Sequence, residues 1–246
     1  MVVLAPQGLD LSAYRELLPG AGELRVAPHW MESHAAYNRL MIAPLVYEAL
    51  ADYSHVLVHE PDALVLRDEL DHWCAQPFDY IGAPWFEGFA DPGPDTPLVA
   101  VGNFGLSLLR VDAARAALSS RKRWHPVVTA GKDLVKGLLG SRERLRRGWH
   151  GIGAGGQLRG AWRLYDSHCD IFWCELVPSL LPSFRVASVA EALRFSWEVL
   201  PGRCFELCDG RLPFGFHAWA RYDLEFLIPH LRASGVDLSP LDAVRA

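Results

Sequence analysis

The chain has 246 residues, enough for one large α/β domain or two small ones, and long enough to bury a core. Half of the residues are hydrophobic and 22% are charged, which excludes a disordered chain, and the formal net charge of −5 gives no reason to expect a nucleic-acid binder as a whole. No stretch approaches the roughly 20 apolar residues of a membrane span, and residues 1–6 are too short for a signal core and follow no basic residue, so a cytoplasmic protein is expected.

Residues 2–5 read as a first strand closed by Pro6, and residues 11–18 as a short amphipathic helix stopped by Pro19 and Gly20. Residues 24–27 form a second strand. From Ser33 a longer helix is expected, with Tyr37, Leu40, Met41, Leu45 and Leu50 near helical spacing and Pro44 interrupting it. Asn38 and Arg39 sit near its start and are candidate nucleotide contacts.

Val56, Leu57 and Val58 then make a buried strand that runs into Glu60, Pro61 and Asp62, with Ala63, Leu64, Val65 and Leu66 continuing it. Two carboxylates two residues apart at the end of an apolar strand are costly to keep there unless something cationic shares the site. A hard divalent ion that keeps positions open for phosphate oxygens fits that role. A surface turn with ordinary solvated acids is the alternative.

Residues 71–76 look like one or two helical turns, and residues 78–85 like a strand entering a turn. Residues 90–97, ADPGPDTP, form a loop by composition. A tight turn through Gly102, Asn103 and Gly105 feeds another strand, and Asp112 caps a helix reaching about Ser120.

Residues 121–163 differ in charge. They carry Arg121, Lys122, Arg123, Arg144, Arg146 and Arg147 among other cations, against only Asp133 and Glu143, with glycines clustered between Gly148 and Gly160. This basic, glycine-rich insertion is either a solvated surface segment or a mobile lid whose cations meet an anionic ligand. The GxGxxG at residues 151–156 follows no convincing strand, which argues against a dinucleotide-binding turn there.

Residues 165–180 are expected to be helical, with Asp166 and Asp170 near the start. A strand at 184–187, a helix at 189–195, a stiff aromatic turn at 212–219 and a final helix at about 223–233 complete the chain. Alternating strands and helices predict an α/β fold: a Rossmann-like, mainly parallel sheet flanked by helices, in a single domain covering residues 1–246. In such sheets ligands bind beyond the carboxyl ends of the strands, where Glu60 and Asp62 would stand. Four of the five cysteines form two pairs, Cys169/Cys174 spaced CxxxxC and Cys204/Cys208 spaced CxxxC, unlike a tight zinc knuckle; with Cys74 they are expected to be buried free thiols.

Several stretches, in order, resemble the DUF5672 family, whose members look like GT-A nucleotide-sugar glycosyltransferases. They are YNRLM (37–41), HEPDALV (59–65), WC (73–74), FDYIGAPW (78–85), GNFGLSL (102–108), CDIF (169–172), FSWE (195–198) and PFGFH (213–217). The resemblance implies a GT-A-like fold and places Glu60 and Asp62 at the metal-holding DxD motif, here ExD, with Asp62 the firmer of the two. It makes His217 the C-terminal histidine that completes a manganese or magnesium site. It makes Asp170 the catalytic base of the xED motif, although Cys169 stands where an acid is expected. Asn103 and Gly105 resemble the N-x-G turn that approaches the nucleotide-sugar donor.

Trp85, Phe86 and Trp219 would either stack on sugar or base faces or simply wall the pocket, and Glu198 is a reserve candidate for a polar contact or for the base. The expected activity is transfer of a sugar from a nucleotide-sugar donor to an acceptor hydroxyl on a saccharide, a small molecule or a modified nucleic acid. The alternatives are a non-catalytic sugar- or nucleotide-binding protein on the same fold, or a nucleic-acid-directed enzyme that grips its partner with the basic insertion.

Overall fold

The computed structural model describes residues 1–124, 156–165 and 167–239, so most of the basic insertion, Asp166 and the last residues lie outside it. The chain divides into two compact units, Met1–Asp52 with Arg115–Phe172, and Tyr53–Ala114 with Trp173–Ala246. Both strands and helices are present, and the fold is α/β. No helix among the described residues is long and apolar enough to cross a membrane.

The first unit opens as the alternation predicts. Strands Val2–Pro6 and Gly22–Val26 pair in parallel, with Val2 opposite Gly22 and Pro6 opposite Val26, and helix Ser12–Leu17 lies between them in the chain. The Ser33 hydroxyl accepts from the Ala36 amide and starts helix His34–Leu40. Pro44 begins a second helix, Pro44–Ala49, where its missing N–H costs nothing. The expected long helix is therefore two short ones. Asn38 is buried, and its Oδ1 accepts from the Cys169 amide at 2.7 Å, tying helix His34–Leu40 to residue 169.

The second unit departs from the expected sheet. Strand His55–His59 pairs antiparallel with Leu106–Arg110, which pairs antiparallel with Tyr80–Ile81. Pro84–Phe86 pairs antiparallel with Leu98–Val101. A third small sheet sets Gly215–Phe216 between Ser196–Trp197, parallel to it, and Leu64–Val65, antiparallel to it. Small antiparallel and mixed sheets thus stand where a mainly parallel one was expected. The chain leaves His59 through a tight turn, with the Ala63 amide bonded to the Glu60 carbonyl at 2.9 Å, and enters Leu64–Val65 of another sheet with no crossover helix that a parallel neighbour would require.

Two further expectations shift. The helix expected over residues 165–180 starts only at Cys169 and then runs unbroken to Leu180, as Cys169–Ile171, a π-helical turn Phe172–Leu176 and Val177–Leu180, the wide turn falling just before Pro178, which offers no amide hydrogen. The strand expected at 184–187 is reduced to a single bridge, Val186 opposite Tyr80. Helix Val189–Phe195 is found at its expected limits, held by a capping box in which Ser188 and Glu191 bond each other's backbone. Helix Pro201–Leu207 has no counterpart in the sequence reading.

Two apolar clusters stabilise this unit. Trp73, Ile81, Leu106, Phe195 and Phe214 pack in one, and Trp197, Phe216, Leu227 and Leu231 in the other. Phe214 and Phe216 fall one in each cluster, with Gly215 between them, so the PFGFH stretch is anchored on both sides immediately before His217.

Candidate metal centre

The site is assembled by strand ends. Because Ser196–Trp197 and Gly215–Phe216 run parallel with Trp197 opposite Phe216, the next residues, Glu198 and His217, emerge side by side. Leu64–Val65 runs the other way with Leu64 opposite Phe216, so Ala63 and Asp62 approach the same end. Glu60 follows His59 at the carboxyl end of its strand, and its amide donates to the Gly105 carbonyl at 2.8 Å. Residues far apart in sequence therefore converge without a long loop.

His217 Nε2 lies 3.4 Å from Glu60 Oε2 and 3.4 Å from Asp62 Oδ1. One donor atom from each of the three residues lies within 4.8 Å of the other two, and among the described residues this is the one such group of His, Cys, Asp or Glu. Exposure is graded across it: the His217 side chain is 15% exposed, Glu60 28% and Asp62 57%. The imidazole forms the shielded wall and Asp62 the solvent side.

On the other nitrogen, Nδ1 lies 3.4 Å from Glu198 Oε1, an ion-pair contact rather than an aligned hydrogen bond, and Nδ1 itself is shielded from solvent. Burial alone would lower the His217 pKa, but the Glu198 and Glu60 carboxylates facing its two nitrogens outweigh it and raise the value to about 10. In the metal-free protein the ring is an imidazolium at neutral pH, its charge matched by acids on both edges.

Behind the ring stands the GNFG turn. Asn103 is buried in the left-handed backbone region, with φ 56°. Its Nδ2 donates to Glu198 Oε2, and its Oδ1 accepts from the Gly105 amide at 3.1 Å. The Tyr80 hydroxyl reaches the carbonyls of Gly102 and Asn103 at 3.1 and 3.0 Å. Gly105 faces the imidazole so closely that a Cβ there would stand far inside van der Waals contact of His217 Nε2 and Cδ2. Ala218, next to the histidine, also has a positive φ of 48°.

The other sequence-derived candidates divide between the two units. Asn38, exposed Arg39 and half-buried Asp170 belong to the first unit, where Asp170 Oδ1 accepts from the Ile171 amide at 2.7 Å. Trp85 is buried with its ring against Gly102 and edge-on to Phe89. Trp219 is partly buried against the cluster around Trp197. All five cysteines are free thiols, as expected, but only Cys169 and Cys204 are buried, while Cys74, Cys174 and Cys208 are partly exposed. Sequence reasoning missed Tyr80 and the link from Asn103 through Glu198 to His217. The signal for Tyr80 was present: a tyrosine in an apolar strand needs a partner for its hydroxyl once buried.

The donor set suits a hard or borderline divalent ion, since two carboxylates and an imidazole match manganese or magnesium better than a soft metal. Donors about 2.1 Å from a six-coordinate ion stand about 3 Å apart on neighbouring positions. The 3.4 Å separations at Nε2 are within a few tenths of an ångström of that spacing. The group fits.

No curated protein and no solved structure matches the chain. Residues 23–217 match a family described as "Protein of unknown function (DUF5672)", a span that includes Glu60, Asp62, Asn103 and Glu198 and ends at His217. With most of its length inside that match, the chain belongs to the DUF5672 family.

Proposed function

We propose that this protein is a metal-dependent glycosyltransferase with a GT-A-like catalytic core, moving a sugar from a nucleotide-sugar donor to an acceptor hydroxyl. The observation that carries the reading is the meeting of His217 Nε2 with Glu60 and Asp62 beyond the ends of three strands, as the resemblance to the GT-A enzymes requires. Glu60, Asp62 and His217 would hold a manganese or magnesium ion. When bound, such an ion supplies electrostatic stabilisation of the departing nucleoside diphosphate.

The chain's own residues do the rest. His217 presents Nε2 from the shielded side, and Glu60 is fixed through its backbone to Gly105. Exposed Asp62 leaves the approach from solvent open to a diphosphate. On the acceptor side the base role given to Asp170 rests on the resemblance alone: its carboxylate would take the hydroxyl proton as the oxygen attacks the anomeric carbon. The partly buried Trp219 offers a ring for the sugar or the base.

Thermal shift with a panel of nucleoside diphosphates, with and without manganese, tests the donor site. Stabilisation that requires manganese and disappears in Asp62→Ala is expected; its absence for every nucleotide sinks the reading. Slow hydrolysis of the matching nucleotide sugar, reduced in Asp170→Asn, separates a transferase from a protein that only binds the donor.

A further inference from the structure

We infer that Glu198 is a positioning residue for His217: it accepts at Nδ1 and so fixes the tautomer and tilt in which Nε2 faces Glu60 and Asp62, while Asn103 holds Glu198 in place. The inference rests on the metal reading proposed above and assigns the network behind it.

Three carboxylates surround one imidazole, and they divide two against one. Glu60 and Asp62 are at Nε2, and Glu198 is at Nδ1. A ligating histidine is neutral, with its lone pair toward the metal and its proton on the other nitrogen. For Nε2 to be the donor atom, the proton must sit on Nδ1, and the acceptor facing Nδ1 is Glu198. A carboxylate placed there orients the ring and raises the basicity of the ligating nitrogen. From the far edge of the ring Glu198 acts on the ion only through His217.

What fixes Glu198 argues for the same role. Its second oxygen is taken by Asn103 Nδ2, and Asn103 has little freedom of its own: it is buried, its backbone is left-handed and its Oδ1 is bonded to Gly105. The Asn103 amide bonds one oxygen of this side chain, and Nδ1 faces the other across 3.4 Å. A carboxylate accepts from both, whereas a glutamine presents one acceptor and one donor. Gly105 completes the device, since its missing side chain lets the ring lie flat against the turn that carries Asn103.

The test is manganese binding by the full-length chain, read by electron paramagnetic resonance of free against bound Mn2+, with the histidine nitrogen coupling followed in pulsed spectra. Wild type should bind with a nitrogen coupling that His217→Ala abolishes. Glu198→Ala should weaken binding on the order of 10- to 100-fold and alter the nitrogen coupling. Glu198→Gln, which keeps one acceptor and the same shape, should lose less, and it supplies the measurement if the alanine variant does not fold. Adding Glu198→Ala to His217→Ala should change nothing further.

Wild-type affinity and coupling in both Glu198 variants would overturn the inference while leaving the metal site standing. So would an equal loss on adding Glu198→Ala in the His217→Ala background, which would make Glu198 a direct ligand or a bare charge. If wild type binds no manganese, the metal reading itself fails and takes this inference with it. That outcome is recognised because His217→Ala then changes nothing.

Discussion

Gly105 and His217 occupy one space, and neither can change without the other. Replacing Gly105 by alanine crowds a Cβ against the imidazole, and the ring has to swing out because the turn behind it is held by Tyr80 and Asn103. Gly105→Ala is expected to abolish manganese binding, measured by titration calorimetry. The cost in folding stability is about 1–3 kcal/mol, typical of overpacking a tight contact, measured by urea denaturation.

His217 also makes the metal-free protein sensitive to pH. Its folded pKa of about 10 lies above the 6.5 of a free imidazole, so the folded state binds the proton more tightly. The stability this contributes is full below about pH 6.5 and is lost as pH rises through about 10. Denaturation in the presence of a chelator should show that decline, and Glu198→Gln should flatten it.

At the scale of elements, the second unit is held by short pairings fixed by side chains rather than by long ladders. Asp79 is buried, ion-paired with Arg110 at 3.1 Å and bonded to the Arg185 amide at 2.9 Å, so one carboxylate joins Leu106–Arg110 to the segment that bridges Tyr80. Asp79→Ala strands a half-buried guanidinium and a backbone amide, and should cost about 3 kcal/mol in chemical denaturation.

These pairings mark the limit of what the sequence could tell. Apolar runs such as Val56, Leu57 and Val58 located strands, and Pro19 and Pro44 marked two of the helix limits. Strand direction is not encoded in the alternation of apolar residues, so antiparallel His55–His59 and Leu106–Arg110 looked the same as a parallel pair. Two-residue strands such as Ser196–Trp197 have no period to detect. That is why Glu198, one position beyond, was read as a pocket residue and not as the partner of His217. Glu60, Asp62 and His217 were legible, but the histidine only through a motif resemblance; nothing in a lone imidazole within an aromatic turn announces two carboxylates from elsewhere.

At the scale of the molecule, Glu60, Asp62, Asn103, Glu198 and His217 all belong to the unit formed by Tyr53–Ala114 and Trp173–Ala246. That unit draws its members from two separated stretches of chain, so a ligand held by Glu60, Asp62 and His217 together favours only the state in which both stretches are folded against each other. Manganese at 100 times its dissociation constant should therefore add about 2.7 kcal/mol to unfolding free energy. Differential scanning calorimetry would read this as a rise in Tm that tracks metal concentration, absent in Asp62→Ala.

The pairing of Trp197 with Phe216 has one more consequence, and it concerns length rather than chemistry. Successive side chains along a strand point to opposite faces, so a single extra residue inserted between Gly215 and Phe216 would turn the imidazole away from the acids while leaving every donor in the chain. In this stretch, spacing is as strict a requirement as side-chain identity, and one residue added to the strand would silence the site as surely as deleting the histidine.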